Sequence, residues 1–259
     1  MRIALISDLH ANLPAVQAVL QDASDIGCDA IWCAGDVVGR GPHPNEVSQL
    51  VRDRQVLTVQ GNWDEAVGMG REVTGSIWES PEAEAQGRES LRWTAGRLSE
   101  DDRSWLRQLP ATIRMEHHGR SVQLFHGSPL KQNEYLWEER PSRYFARIAS
   151  DEGDDLLCFG HTHQTYHRVT GQAHFVAGGS VGCGGEGDAN ARYAVIYLSE
   201  SDLVVGFRSI AYDHAAVLAD MAVAGLPATL LTHPPVPHST VDPGVAEADA
   251  DAAGTPAGA

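Results

Sequence analysis

Short, nearly continuous apolar runs alternate with segments of helical period through the first quarter of the chain. Runs at about 2–7, 30–35 and 56–60 read as buried strands, and amphipathic stretches at about 14–25 and 44–53 read as the helices between them. This βαβ order implies a parallel sheet with right-handed crossovers. At about 65–110 the alternation stops and a helical insertion is expected. Ser80-Pro81-Glu82 and Ser99-Glu100-Asp101-Asp102 both look like helix starts, a hydroxyl cap followed by acids that suit the positive end of the dipole. Trp78, Trp93 and Trp105 in this stretch read as core residues rather than ligand stackers. From Thr112 onward β-structure dominates, at about 112–117, 121–126, 156–160, 165–169, 173–177, 193–198 and 203–210, with helices near 142–149 and 214–224. Periodicity alone gives an α/β fold and nothing finer.

Beyond Leu231 the character changes. His233-Pro234-Pro235-Val236-Pro237 opens an Ala, Asp, Gly and Pro stretch with acids at Asp242, Glu247, Asp249 and Asp251 and no basic residues. Too little apolar surface is available to offset ordering entropy, so one domain over 1–232 and a disordered tail over 233–259 are expected, with His233 and His238 solvated.

The ends of the apolar runs carry the chemistry. Asp8-x-His10, Gly35-Asp36, Gly61-Asn62, His126 and Gly160-His161-Thr162-His163 each follow an expected strand. Singly, each is weak: a Gly-Asp after a strand is often only a turn. Together they fall where strands of an open α/β sheet deliver their ends to one rim, the usual place for a ligand. The donors are carboxylates, imidazoles and one amide, a mixture that suits Mn²⁺, Fe, Zn²⁺, Co²⁺ or Ni²⁺ better than Ca²⁺. Two such ions about 3.5–4 Å apart can hold a phosphate between them and activate a bridging water as hydroxide. A shared anionic ligand is then required, and Asp36 is well placed for it. In an extended Gly160–His163 segment, His161 and His163 would point to one side and Thr162 to the other.

These fragments in this order resemble the calcineurin-type metallophosphoesterases, whose pattern is D-x-H, G-D-x-x-(D/G)-x-G, G-N-x-(D/E), a later lone His, and G-H-x-H. Here they read Asp8-Leu9-His10, Gly35-Asp36-Val37-Val38-Gly39-Arg40-Gly41, Gly61-Asn62-Trp63-Asp64, His126-Gly127-Ser128-Pro129 and Gly160-His161-Thr162-His163. The stretch from Gly35 to Glu46 and the later Gly179-Ser180-Val181-Gly182 look like the bacterial and archaeal branch that contains small phosphodiesterases. The resemblance implies a four-layer α/β/β/α sandwich, two mixed sheets flanked by helices. It also implies Asp8, His10, Asp36 and His163 on one metal, with Asp36, Asn62, His126 and His161 on the other, Mn²⁺ being favoured. Asn62 would also reach the phosphate, and the helical insertion would overhang the metal face. Asn12 would touch substrate or orient its loop, or else cap the helix starting near Pro14. Arg40 stands where the phosphatase branch grips phosphate with a guanidinium fork, or is an ordinary loop residue.

Two departures bear on substrate. The protein-phosphatase branch places after the Asn a His that protonates the leaving group, and orients it with a second Asp in the earlier motif. This chain has Trp63 and Gly39 there. General-acid help is worth roughly 10²- to 10⁴-fold, so its loss favours diesters and activated esters over alkyl monoesters unless His117, His118 or Asp64 supplies the proton.

Composition narrows the field. The 259 residues, 42% of them hydrophobic, are enough for a sizeable core, and the short apolar run near the start, Ile3 to Ile6, reads as a first strand, so that neither a leader nor a membrane span is expected there. Cys28, Cys33, Cys158 and Cys183 show no disulfide-scaffold or Cys-x-x-Cys spacing, which fits buried, reduced thiols and a cytoplasmic location. A formal charge of −16 argues against sequence-independent DNA binding. The expected activity is a phosphodiesterase acting on small phosphoesters, cyclic nucleotides among them. A protein or nucleotide phosphomonoesterase and a non-catalytic scaffold of the same fold are the alternatives, and oligomeric state is left open.

Overall fold

Residue alternation along β1 (Arg2–Ile6) requires four layers. Ile3 and Leu5 point one way, into an apolar layer shared with a second sheet, while Ala4 and Ile6 point the other way, under helices. The computed structural model describes residues 1–184 and 188–232, so the tail expected at 233–259 lies outside the described residues.

After β1 come α1 (Leu13–Asp25), β2 (Ala30–Cys33), α2 (Pro44–Asp53) and β3 (Leu57–Thr58), as the pattern predicts, although β3 is two residues long. It stops early because the backbone of Gln60 turns away from the sheet to donate to Pro110 O, 2.8 Å away. The insertion region holds three helices, α3 (Asn62–Met69), α4 (Pro81–Arg97) and α5 (Glu100–Gln108). Ser80 Oγ accepts from Ala83 N at 3.1 Å and Ser99 Oγ from Asp102 N at 3.1 Å, the two caps anticipated from sequence. α3 was not anticipated, because its first residues are the Gly-Asn motif itself.

The second half supplies β4 (Thr112–His117), β5 (Arg120–Phe125), α6 (Ser142–Glu152), β6 (Leu156–Phe159), β7 (Thr165–Thr170), β8 (Ala173–Gly178), β9 (Ala191–Leu198), β10 (Leu203–Ile210), α7 (His214–Ala224) and a short α8 (Thr229–Thr232). The strands form two mixed five-stranded sheets, ordered β10-β9-β1-β2-β3 and β4-β5-β6-β8-β7. In each, three strands run parallel (β1, β2 and β3; β5, β6 and β8), flanked by antiparallel ones.

Three apolar layers hold the stack. Ile3, Leu5, Trp32, Leu124, Cys158, Val176 and Ile196 fill the space between the sheets. Val16, Val19, Val47, Val67, Leu91 and Leu106 seat α1 to α5 on the outer face of the first sheet. Phe145 and Ile148 of α6 cover Phe159 and Phe175 on the outer face of the second. The insertion therefore divides: α4 and α5 contribute Leu91 and Leu106 to the core, and the connection before α4 bonds Asn62 at the rim through Thr74 and Ser76. Trp78 and Trp105 pack against the first helical layer and Trp93 against the α7–α8 cluster, as core residues do. No helix among the described residues is long and apolar enough to cross a membrane.

Truncating a residue between the sheets tests this layering. Leu124 is fully buried there, so Leu124→Ala is expected to lower unfolding free energy by about 2–5 kcal/mol, whereas Val204→Ala on the exposed edge strand should stay within about 0.5 kcal/mol. Denaturant titration of both variants checks the contrast.

Candidate metal centre

The parallel strands of both sheets end at one seam. β1 runs into Asp8 and His10, β2 into Asp36, β3 into Asn62, β5 into His126, and β6 into His161 and His163. The chain must turn sharply at each of these ends. Among the described residues nine non-glycine residues have positive φ, and five of the nine are Asp8, His10, Asp36, His161 and His163. Ala11 and Arg40, two more, adjoin them. Left-handed backbone is costly for such residues and gathers at functional sites.

This geometry corrects one expectation. Gly160–His163 is not extended: φ is +66° at His161 and +58° at His163, and Thr162 N folds back to Gly160 O at 2.7 Å. The two imidazoles diverge to different partners instead of sharing one side. Thr162 is itself buried, its Oγ1 accepting from Gln164 N at 3.2 Å.

Two donor groups result. In the first, His163 Nε2 lies 3.3 Å and His10 Nε2 3.8 Å from Asp8 Oδ1, and the two Nε2 atoms are 3.2 Å apart. In the second, Asp36, His126 and His161 bring their donor atoms within 4.8 Å of one another, and Asn62 Oδ1 is 3.0 Å from His126 Nε2. Asp36 Oδ2 faces both groups, 3.9 Å from His10 Nε2 and 3.4 Å from His126 Nε2.

Asp8, Asp36 and His126 each have one atom tied into the fold and another facing the seam. Asp8 Oδ2 accepts from Ser7 Oγ at 2.7 Å and His161 N at 2.9 Å; Asp36 Oδ1 accepts from Trp63 N at 2.8 Å. His126 Nδ1 meets Ala34 O at 2.6 Å, which directs Nε2 inward. Such supports orient ligands in metal sites. The inward atoms Asp8 Oδ1 and His161 Nε2 are buried without a hydrogen bond. A buried polar atom left so is costly unless something absent from the protein part satisfies it, and divalent cations fit this donor set.

Electrostatics divides the imidazoles into two kinds. Burial, with the charge of Arg40 adding to it, holds His10 well below the ordinary imidazole value; burial and His126 do the same to His161. Burial also opposes charge on His126, but Asp36 outweighs it and pushes that imidazole up to about 9. His163 likewise reaches about 9, Asp8 overcoming burial.

The other residues singled out from sequence fare differently. Asn12 is a cap: its Oδ1 accepts from Ala15 N at 3.3 Å while Nδ2 donates to Gly182 O at 2.8 Å and Tyr212 OH at 3.1 Å, so its side chain is engaged in the fold rather than turned to a substrate. Asn62 offers its oxygen, but its Nδ2 donates to Thr74 O and Ser76 Oγ in the connection before α4, not outward to a phosphate. Arg40 is 4% exposed. Its guanidinium lies 5.7 Å from the Trp63 ring and 5.3 Å from the Trp78 ring, and Nη1 donates to Leu230 O at 3.2 Å.

None of the three substitute acids is placed to protonate a leaving group. His117 and His118 sit at the β4–β5 hairpin, about 20 Å along β5 from His126. Both oxygens of Asp64 accept backbone N–H groups, of Val37, Val38 and Gly61. Burial and the neighbouring Asp36 push that carboxyl up to about 7, but it faces the backbone. Trp63 and Gly39 interlock: φ at Gly39 is +88°, and a Cβ there would come within 2.2 Å of the Trp63 ring.

Sequence reasoning missed two neighbours. The Tyr135 ring lies over His161 with centroids 3.9 Å apart, and Cys183 brings Sγ to His10 and His163. Tyr135 lies outside every motif, and no local signal marks it. Cys183 directly follows Gly179-Ser180-Val181-Gly182, and that adjacency was the available signal.

A profile of the calcineurin-like phosphoesterase superfamily domain matches residues 1–201. The chain belongs to the calcineurin-like phosphoesterase superfamily. A crystal structure of a metallophosphoesterase from Sphaerobacter thermophilus is 31% identical, with a TM-score of 0.69 over 89% of this chain and 96% of that one. A hypothetical protein from Pyrococcus horikoshii OT3 shares the fold at 20% identity, with a TM-score of 0.77 over 89% of this chain and 96% of that one. An uncharacterized protein of Methanocaldococcus jannaschii is 34% identical over 161 residues, 62% of this chain and 62% of its own length.

The site generates two predictions. Among the described residues Asp36 is the carboxylate with one oxygen facing both donor groups, so Asp36→Ala is expected to lower bound metal and hydrolysis together; full activity in that variant would contradict a two-ion centre. Metal binding needs deprotonated imidazoles, and His126 and His163 keep their protons up to about 9. Apparent metal affinity is therefore expected to rise with pH and to level off above about 9, with protons released on binding below it. Proton release on adding Zn²⁺ to metal-free protein in a weakly buffered indicator solution, at about pH 7, measures this.

Proposed function

We propose that this protein is a dinuclear metal-dependent phosphodiesterase acting on small phosphoesters, cyclic nucleotides among the candidates. The observation that carries the reading is Asp36, whose Oδ2 is directed to both donor groups. Asp8, His10, Asp36 and His163 would hold one ion and Asp36, Asn62, His126 and His161 the other, with Mn²⁺, Fe, Zn²⁺, Co²⁺ or Ni²⁺ compatible with the donors. When bound, such ions supply Lewis acidity, drawing charge from a phosphate and making water nucleophilic near neutral pH.

The chain's own residues set the rest. Ser7 and the His161 amide keep Asp8 aimed inward, Ala34 O fixes the ring of His126, and Thr74 and Ser76 orient Asn62. Trp63, 1% exposed and edge-on to His10 with centroids 6.0 Å apart, fills the place of the proton donor and excludes water there. This favours leaving groups that need little protonation.

A phosphomonoesterase is the second reading, and Arg40 is the observation in its favour. Its guanidinium lies beside the Trp63 and Trp78 rings with Nη1 on Leu230 O, and its charge reaches His10. The net charge of −16 favours a small substrate over duplex DNA. Four free cysteines favour a cytoplasmic location.

A leaving-group series tests substrate preference. With Mn²⁺ fixed, the rate is expected to fall steeply as leaving-group pKa rises, aryl diesters outpacing alkyl monoesters. Gly39→Asp alone should damage the site, since its Cβ meets Trp63 at 2.2 Å. Paired with Trp63→His, it should help poor leaving groups most, by up to roughly 10²-fold. A flat series in the wild type would count against a missing general acid.

A further inference from the structure

Cys183 belongs to none of the motifs that define the two donor groups, yet it stands beside one of them. Its Sγ and one ring nitrogen each of His10 and His163 lie within 4.8 Å of one another. The thiol is 1% exposed. At the same place Asp8 Oδ1, 3.3 Å from His163 Nε2 and 3.8 Å from His10 Nε2, is buried without a hydrogen bond. The sulfur is also held in place. Cys183 N donates to Ser180 Oγ at 2.9 Å, Ser180 Oγ donates to Asp8 O at 3.0 Å, and Gly182 N donates to the same carbonyl at 2.9 Å. A Cβ on Gly182 would come within 2.1 Å of Leu9 O, so the loop carrying the cysteine and the loop carrying Asp8 and His10 are in backbone contact.

We propose that Cys183 is an additional, soft donor at the His10–His163 end of the centre, making that position selective for thiophilic ions such as Zn²⁺, Fe²⁺ or Co²⁺ over Mn²⁺. The inference rests on the metal-centre reading above and deepens it. Thiolate donors favour such ions, whereas carboxylate, carbonyl and water suit Mn²⁺. The present partner of the thiol is weak: Sγ donates to Leu230 O at 3.7 Å. On ligation the S–H proton leaves to water, the sulfur lone pair forms the bond to the ion, and no electron is transferred.

Cobalt loading reads the sulfur directly. Wild-type protein with Co²⁺ is expected to show visible d–d bands together with a strong near-ultraviolet thiolate-to-cobalt absorption. Cys183→Ser and Cys183→Ala should keep the visible bands and lose the near-ultraviolet one. In competition followed by metal analysis, each variant should shift the Zn²⁺-over-Mn²⁺ preference toward Mn²⁺ by about tenfold or more. Visible bands without the near-ultraviolet absorption in the wild type, or unchanged spectra in the variants, would overturn the role of Cys183 and leave the metal centre standing. No cobalt bands at all would overturn both. Should the variants fail to fold, the wild-type spectrum decides, because Cys28, Cys33 and Cys158 belong to no donor cluster among the described residues.

Discussion

Two carboxylates and four imidazoles, withdrawn from water, face one another across the seam of two sheets, and the surrounding structure serves that juxtaposition. Burying such groups is expensive unless each is paired or hydrogen-bonded. The fold meets part of the cost by holding four of the donors from behind: a serine and an amide on Asp8, the Trp63 amide on Asp36, a carbonyl on His126, a loop on Asn62. It also requires backbone that most residues avoid, which is why left-handed φ values collect at the strand ends. Glycine is needed where loops touch: a Cβ on Gly160 would lie 1.7 Å from Ser7 Oγ, inside the support of Asp8. The sheets and helices are thus a frame that holds these turns in a conformation they would not keep alone.

How much of this was legible follows from which interactions are local. The βαβ start, the caps at Ser80 and Ser99 and the hairpin strands depend on neighbours in sequence, and each was readable. The two-sheet sandwich was legible only through family likeness, because the pairing of β1 with β9 joins residues such as Arg2 and Tyr197, far apart in the chain. Likewise the donor residues were readable from their order, whereas the left-handed turn at His161 and His163 was not. An alternation rule assumes extended backbone, and contact with the Asp8 loop overrides it. Tyr135 escaped for the same reason, since nothing in its local sequence records that it meets His161, and for Cys183 the only local signal was its place directly after Gly179-Ser180-Val181-Gly182.

Trp63 shows how one side chain can set both packing and chemistry. Its amide fixes Asp36, its ring meets His10 and Arg40, and the space it takes accounts for Gly39. The absence of an acid dyad is therefore a filled volume rather than an open position, and the indole surface makes the approach to His10 apolar.

The span of the chain across the site also has a consequence in time. Asp8 Oδ2 is held by the amide of His161, 153 residues further on, and β1 takes its antiparallel neighbour from residues 191–198. A chain still emerging from the ribosome can present Asp8, His10 and Asp36 as solvated side chains, but not the enclosed centre, because the donors carried by the second sheet come later and the strands β9 and β10 that complete the first sheet come later still. Capture of metal then belongs to the end of folding, coupled to closure of the longest loop in the topology. Donors spread from Asp8 to His163 can meet around one ion only in the finished fold, so the full donor set does not exist on a chain still being synthesised.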